Sequence, residues 1–383
     1  MARIGVAFYG GLAPGEIVDC VKMAEELGYE SAWMAEGHGG DQFAVLTACA
    51  LATQRILLGT SISSVFVRSV PTIAMAAATV DHLSQRRFIL GLGSSHKVQV
   101  EPEHGLPYGQ PVQRVRDSVA IIRTLLRDGV VSYQGKTVSI ERFDLWFRPI
   151  RQEIPIYLGA LFPKMLEVCG EIAQGAILVW STLETVAQAV AHITEGARRA
   201  GRRPEEVDLA ALLPCSVAAS QQEAFDVLRP VVAFYAGFFP RYHRLIAAQG
   251  FPEAAQAIRA AWGKGDQAGA ARAVPDALIA AVAVAGTPAE CRERIEAYRS
   301  SGIALPIIFP VLRSAGPAGK QRVWPCHSMR HMRHMSHESD DSCCRPGYEN
   351  ATAHRALPQT PAAAALAANA RPYPGPAASV RGA

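Results

Sequence analysis

The chain lacks what a membrane-spanning or exported protein needs. No stretch of about 18 uninterrupted apolar residues occurs, and the opening segment MARIGVAFYG has neither a basic leader nor a long apolar core. A cytoplasmic protein with no membrane partner is expected. Charge is scarce as well: only 19% of the 383 residues are Asp, Glu, Lys or Arg, and the formal net charge is +4. The basic residues are scattered rather than striped, which argues against nucleic acid as a partner and for a small-molecule substrate. Redox cysteine motifs are missing too. Five of the eight cysteines (Cys20, Cys49, Cys169, Cys215 and Cys291) stand singly in apolar segments, the usual setting of reduced, buried thiols.

What the chain has in quantity is apolar residues, 49% of the total, over a length that supports one α/β barrel or two smaller domains. The patterning favours the barrel. Ile4 to Tyr9 reads as a strand, and residues 14 to 28 as a helix with Ile17, Val18, Val21, Ala24 and Leu27 on one face. Ser31 to Glu36 reads as a second strand, followed by the loop EGHGGD and a helix over 42 to 53 with Asp41 as its N-cap. The segment from Arg55 to Lys97 repeats the unit most clearly. A strand from Ile56 to Ile62 ends in a Ser-rich turn, Pro71 opens a small-residue helix with Asp81 near its end, and Phe88-Ile89-Leu90 runs into GLGSSH. Polar, glycine-containing loops thus follow both strands, where parallel α/β folds place their ligands.

Residues 98 to 110 read as a loop and 112 to 127 as a helix. Then 130 to 140 alternates about Gln134-Gly135-Lys136, which predicts a β-hairpin outside the core sheet. A fifth strand follows from Ile154 to Leu161, and a helix from Pro163 to Ala173 with Gly175 as its stop. Strands at 176 to 180 and 207 to 218 flank a helix over 183 to 200. Residues 221 to 272 read as an irregular helical insertion before strand eight. Thr287 and Glu290 then open a helix to Ser300, and Leu305 to Val311 is the last strand. The count is eight strands and eight helices: an α/β fold, a (β/α)8 TIM barrel over residues 1 to 314 with an inserted β-hairpin and a helical insertion before strand 8. Residues 315 to 383, poor in large aliphatics and rich in Pro, Ala, His and Ser, predict a disordered low-complexity tail. Its His327, His331, His334, His337, Cys343 and Cys344 lack apolar residues to fix a geometry, so no metal site is expected.

Several short motifs follow one another in a telling order: Ala32 to His38 (AWMAEGH), Leu58 to Ile62 (LGTSI), Pro71 to Ala74 with Asp81 to Ser84 (DHLS), Arg87 to Gly93 (RFILGLG), Pro155 to Ala160 (PIYLGA) with Pro163 to Leu166, and Leu305 to Pro310 (LPIIFP). On these the chain, over residues 3 to 311, resembles the luciferase-like monooxygenase superfamily. Within it, the chain resembles the coenzyme F420-dependent, methylenetetrahydromethanopterin reductase-like branch. The resemblance implies a reduced flavin or deazaflavin lying across the strand C-termini, its phosphate arm held by the loops after strands four and five. It implies a non-prolyl cis peptide at Ser61-Ile62 backing the ring, a histidine after strand two (His38) near the reactive ring carbon, and a homodimer.

The residues agree with that chemistry. Gly93, Ser94, Ser95 and His96 offer N–H groups and hydroxyls beside the Lys97 cation, the ingredients of an anion nest. Gly159, Ala160 and Leu161, ahead of a helix opened by Pro163 and Lys164, make a second helix N-terminus able to receive a phosphate or ring edge. His38, with Glu36 to raise its pKa by charge pairing, suits proton handling, and His96 competes for that role or for a phosphate contact. Where sugar-phosphate dehydrogenases of the family carry a glutamate, this chain has Ser95-His96, which argues against that substrate class. Glu101, Glu103 and His104 are placed to line a substrate mouth. The Phe and Tyr cluster at 234 to 242 either shields the cofactor or packs helices. Asp81 and His82 read as structural.

Three functions remain open. The first is transfer of a hydride between F420 C5 and a small organic substrate. The second is a monooxygenase using reduced FMN and dioxygen, and the third a barrel that binds a ligand without catalysis.

Overall fold

The computed structural model describes residues 3 to 9 and 11 to 311; the expected tail at 315 to 383, with its histidines and cysteines, lies outside them. The first half of the chain alternates β1 (Gly5–Phe8), α1 (Pro14–Glu26), β2 (Ser31–Met34), α2 (Gln42–Ala52), β3 (Leu57–Thr60), a two-residue β4 (Ser63–Ser64), α3 (Val70–Leu83) and β5 (Phe88–Gly93). Next come α4 (Lys97–His104), α5 (Pro111–Asp128), the hairpin strands β6 (Val130–Gln134) and β7 (Ser139–Asp144), β8 (Ile156–Gly159), α6 (Pro163–Ile172), β9 (Gly175–Val179) and α7 (Leu183–Arg199). The long β10 (Asp208–Val217) leads into α8 (Gln221–Phe238), α9 (Pro240–Ala248), α10 (Pro252–Gly263), α11 (Gln267–Arg272) and α12 (Asp276–Val282). The chain then closes with β11 (Val284–Gly286), α13 (Pro288–Ser300) and β12 (Leu305–Pro310).

Eight parallel strands form a closed barrel in the order β1, β2, β3, β5, β8, β9, β10, β12, with β12 back on β1. This is the (β/α)8 TIM barrel expected. Its strands are buried on both faces, which is why they read as continuous apolar runs rather than alternating ones. Trp33 and Tyr157 fill the interior, with ring centroids 5.7 Å apart.

The insertions fall where the patterning put them. β6 and β7 pair only with each other, in a separate antiparallel sheet. Asp117 of α5 pins that hairpin by accepting from Thr137 N (2.8 Å), Thr137 Oγ1 (2.6 Å) and Tyr133 OH (3.2 Å). Helices α8 to α12 form the insertion between β10 and β12.

Three local expectations are corrected. The supposed loop at 98 to 110 contains α4, whose amphipathic signal is weak because Pro102 interrupts it. The helix buries Val100 and is stopped by Gly105 in the left-handed region, φ 66°. Gly175 does not end α6; it opens β9, where a Cβ would stand 2.6 Å from the Tyr157 ring, so the glycine serves close packing in the barrel. β11 was not anticipated: three residues extend the sheet beside the end of β10. Asp81 is buried and receives both a 2.9 Å and a 2.5 Å hydrogen bond from Arg151, which confirms its structural reading.

Candidate active site

A cleft of about 310 Å³ opens at the C-terminal ends of the strands. Its floor is the segment after β3. The Ser61–Ile62 peptide bond is cis, as the resemblance implied. The Ile62 side chain is wedged between two glycines of neighbouring strands: a Cβ at Gly93 would lie 2.7 Å from Ile62 Cγ1, and one at Gly159 3.2 Å from Ile62 Cγ2. Only glycine at Gly93 lets β5 approach this closely. The motifs LGTSI, GLG and YLGA are therefore one packing unit, the platform of the cleft.

Two loops rim that platform. After β5 come Ser94, Ser95 and His96; after β8 come Ala160, Leu161 and Phe162, then Lys164 in the first turn of α6. All of these line the cleft. Ser95 takes a positive φ of 53°, which turns the backbone sharply before α4.

The wall opposite is supplied by the insertion. Tyr235, Phe239 and Tyr242 fall on one side of α8 and α9 and face the cleft, while Phe234 is 40% exposed and stacks on Phe238 instead. The aromatic cluster thus divides, one side shielding the cleft and one side packing outward. Beneath it, Trp180 is fully buried against Tyr235 and Phe309.

Burial sets the protonation of this wall. Removal from water holds the Tyr9 and Tyr242 phenols well above the ordinary range and pushes Tyr235 up to about 12, so all three are neutral hydrogen-bonding groups at pH 7. His96 packs between Phe239 and Tyr242, its ring tilted against both at centroid distances of 4.6 and 4.9 Å. Burial, reinforced by the neighbouring Arg241 cation, lowers its pKa to about 4. It is a neutral imidazole whose buried Nδ1 has no hydrogen-bond partner among the described residues.

The expected acid–base pair is placed differently from the expectation. Glu36 lines the cleft, but its carboxylate accepts from Ser64 N at 2.7 Å and is paired with Arg68, which also binds Asp41. It ties the β2 loop to the platform. His38 does not line the cleft; its side chain is 80% exposed and its Nε2 sits 3.3 Å from Glu103. The glycines around His38 let that loop run outward, so the imidazole meets solvent and α4 rather than the platform. Lys97 is also outside the lining, paired with Glu101 one turn on, and Pro163 stays at the helix edge. Glu101, Glu103 and His104 lie on α4, outside the lining.

The sequence reading missed Tyr9, Gln99, Arg241 and Arg244, all of which line the cleft. The segment FFPRYHRL carried the signal for two of them: arginines three apart on one helical face beside the aromatic run.

The profile of the luciferase-like monooxygenase family matches residues 1–305. The 5,10-methylenetetrahydromethanopterin reductase of Archaeoglobus fulgidus is 30% identical over 307 residues, covering 79% of this chain and 91% of that protein. The enzyme of the same name from Methanolobus tindarius is 31% identical, covering 75% and 88%. Among solved structures, the coenzyme F420 dependent tetrahydromethanopterin reductase of Methanopyrus kandleri superposes with a TM-score of 0.76 at 28% identity, over 87% of this chain and 98% of that one.

Proposed function

The chain belongs to the luciferase-like monooxygenase family, and from that premise we propose that it is a coenzyme F420-dependent oxidoreductase that moves a hydride between the deazaflavin C5 and a small organic substrate. The observation that carries this reading is the platform: Ile62 locked between Gly93 and Gly159, at the floor of a cleft flanked by two polar strand-to-helix loops. The F420-dependent relative from Methanopyrus kandleri, aligned along nearly the whole barrel, supports the deazaflavin over FMN.

The residues fit such a coenzyme. Ser61 and Ile62 would back its ring. Gly93, Ser94 and Ser95, with Gly159, Ala160, Leu161 and Lys164, would hold its anionic arm through N–H, hydroxyl and ammonium donors. When bound, the coenzyme supplies a two-electron carrier at C5. Tyr9, Tyr235, Phe239 and Tyr242 exclude water from the ring side of the cleft. Neutral phenols orient a substrate by hydrogen bonds rather than abstract its protons. His96, uncharged and facing the cleft, takes the place of His38 as the imidazole there, one ring nitrogen donating and the other accepting a hydrogen bond.

The FMN and dioxygen reading uses the same barrel and the same cleft. A second copy of the chain is the partner we propose. α2 carries no charged residue, Leu51 on it is 65% exposed, and Met75 of α3 is 42% exposed.

Equilibrium titration of the purified protein with F420 and with FMN, followed by their separate absorbance bands, tests the assignment. Saturable F420 binding is expected; tight FMN binding without F420 binding would sink it.

A further inference from the structure

Charge in the cleft is unbalanced. Its lining holds three cations, Lys164, Arg241 and Arg244, against one carboxylate, Glu36, and Glu36 is already committed to Arg68. Among the described residues, neither Arg241 nor Arg244 forms an ion pair. Both come from the first turns of α9, three residues apart and hence on one face of the helix. That face straddles the two loops. Arg241 Nη1 donates to Ser94 Oγ at 3.0 Å and to the Ser95 carbonyl at 3.2 Å, and its Nη2 donates to Tyr108 OH at 2.5 Å. Arg244 lies over the Phe162 ring, 5.0 Å from its centroid, on the other loop.

A guanidinium bonded only to neutral oxygens retains the charge that a phosphate or carboxylate would match, and its fork suits those anions. We infer that α9 is an anion clamp: Arg241, seconded by Arg244, gives up its bonds to Ser94 Oγ and the Ser95 carbonyl and closes from the insertion on the anionic arm of the bound coenzyme, which the N–H groups of the two loops hold from the other side. The inference rests on the coenzyme reading above and adds to it a recognition role for the helical insertion. The arm is gripped from both sides, so the insertion and the platform are coupled through the coenzyme's phosphate.

The test compares ligands that share a ring but differ in charge: F420 against its deazariboflavin fragment, and FMN against riboflavin. The wild type is expected to bind F420 more tightly than the fragment. Arg241→Gln should weaken F420 by about tenfold to a hundredfold and leave the fragment within about twofold, so that fragment binding also certifies an intact cleft. Arg244→Gln should act in the same sense but less, since that side chain is exposed. Added salt should narrow the wild-type gap between F420 and the fragment more than the variants' gap. If the double variant keeps the wild-type preference for F420, or loses both ligands in parallel, the clamp is refuted while the coenzyme reading stands. If the wild type instead selects FMN over F420, the coenzyme reading fails. The clamp then survives only if Arg241→Gln erases the preference for FMN over riboflavin. Binding of none of the four overturns both.

Discussion

At the N-terminal end of the barrel, Arg3 donates to both Glu30 and Asp208 at 2.8 to 2.9 Å, whereas at the C-terminal end Arg241 and Arg244, among the described residues, reach neutral groups only. The contrast extends to neighbours. Below, the Glu25 carboxylate accepts from the backbone N–H groups of Gln54, Arg55 and Ile56, and Arg87 donates to the carbonyls of Ala50, Thr53, Ile56 and Ser84. Above, His96 Nδ1 has no partner among the described residues and the cleft keeps surplus positive charge. One end spends its polar groups on holding strands in register, and the other leaves them for a ligand. Barrel folds divide their two faces in this way, stability below and chemistry above.

Substitutions can break that division or sharpen it. The largest expected effect is from Gly91→Ala, whose Cβ would stand 1.8 Å from the Thr60 carbonyl oxygen, a backbone atom with no freedom to yield. Loss of about 3 kcal/mol or more in urea-induced unfolding is expected, because β3 and β5 cannot keep their spacing beneath the platform.

Next is the pH dependence set by His96. Its pKa falls from 6.5 to about 4 in the fold through burial and then through Arg241. Between those values the unfolded chain binds a proton that the folded one does not. Stability is therefore complete above about pH 6.5 and is lost as the pH drops toward 4, by up to about 3 kcal/mol. Replacement by an aromatic of similar size, His96→Phe, should flatten that part of the profile in thermal denaturation across the same pH range.

Arg3→Ala probes the opposite end. It leaves Glu30 and Asp208 without their guanidinium and, since the Arg3 side chain is 42% exposed, should cost about 1 kcal/mol in chemical unfolding, with F420 affinity unaltered. Should the coenzyme affinity fall as well, the two ends are not separable. The smallest effect is expected from His38→Ala. A solvated imidazole whose partner is Glu103 should change turnover by less than about twofold; a loss of orders of magnitude in steady-state assays would return His38 to the reaction.

The barrel, the hairpin and the insertion were legible because each follows from periodicity and length. Asp41 was legible as an N-cap and does accept from Ala44 N at 2.9 Å. The platform was legible through motifs, since Gly93 and Gly159 sit in GLG and YLGA, and a Cβ would meet Ile62 at 2.7 Å from the first and at a tight 3.2 Å from the second. What the sequence concealed was direction. His38 sits in the loop after β2 and Lys97 at the first position of α4, close behind strands as ligand-binding residues are, yet both side chains face solvent. Nothing local distinguishes an inward from an outward loop residue; that depends on which helix packs beside it, here α4. Arg241 was hidden for a different reason. It meets Ser94 across 147 residues of chain, a pairing that exists only once the insertion folds back over the barrel mouth.

The most direct measurement of the central claim is a structure of the protein with F420 bound. The account predicts the deazaflavin ring against Ser61–Ile62, with its phosphate between the Ser94–Ser95 loop and Arg241. A ring bound away from the Ile62 platform, or a phosphate on the far side of the cleft from α9, would contradict it.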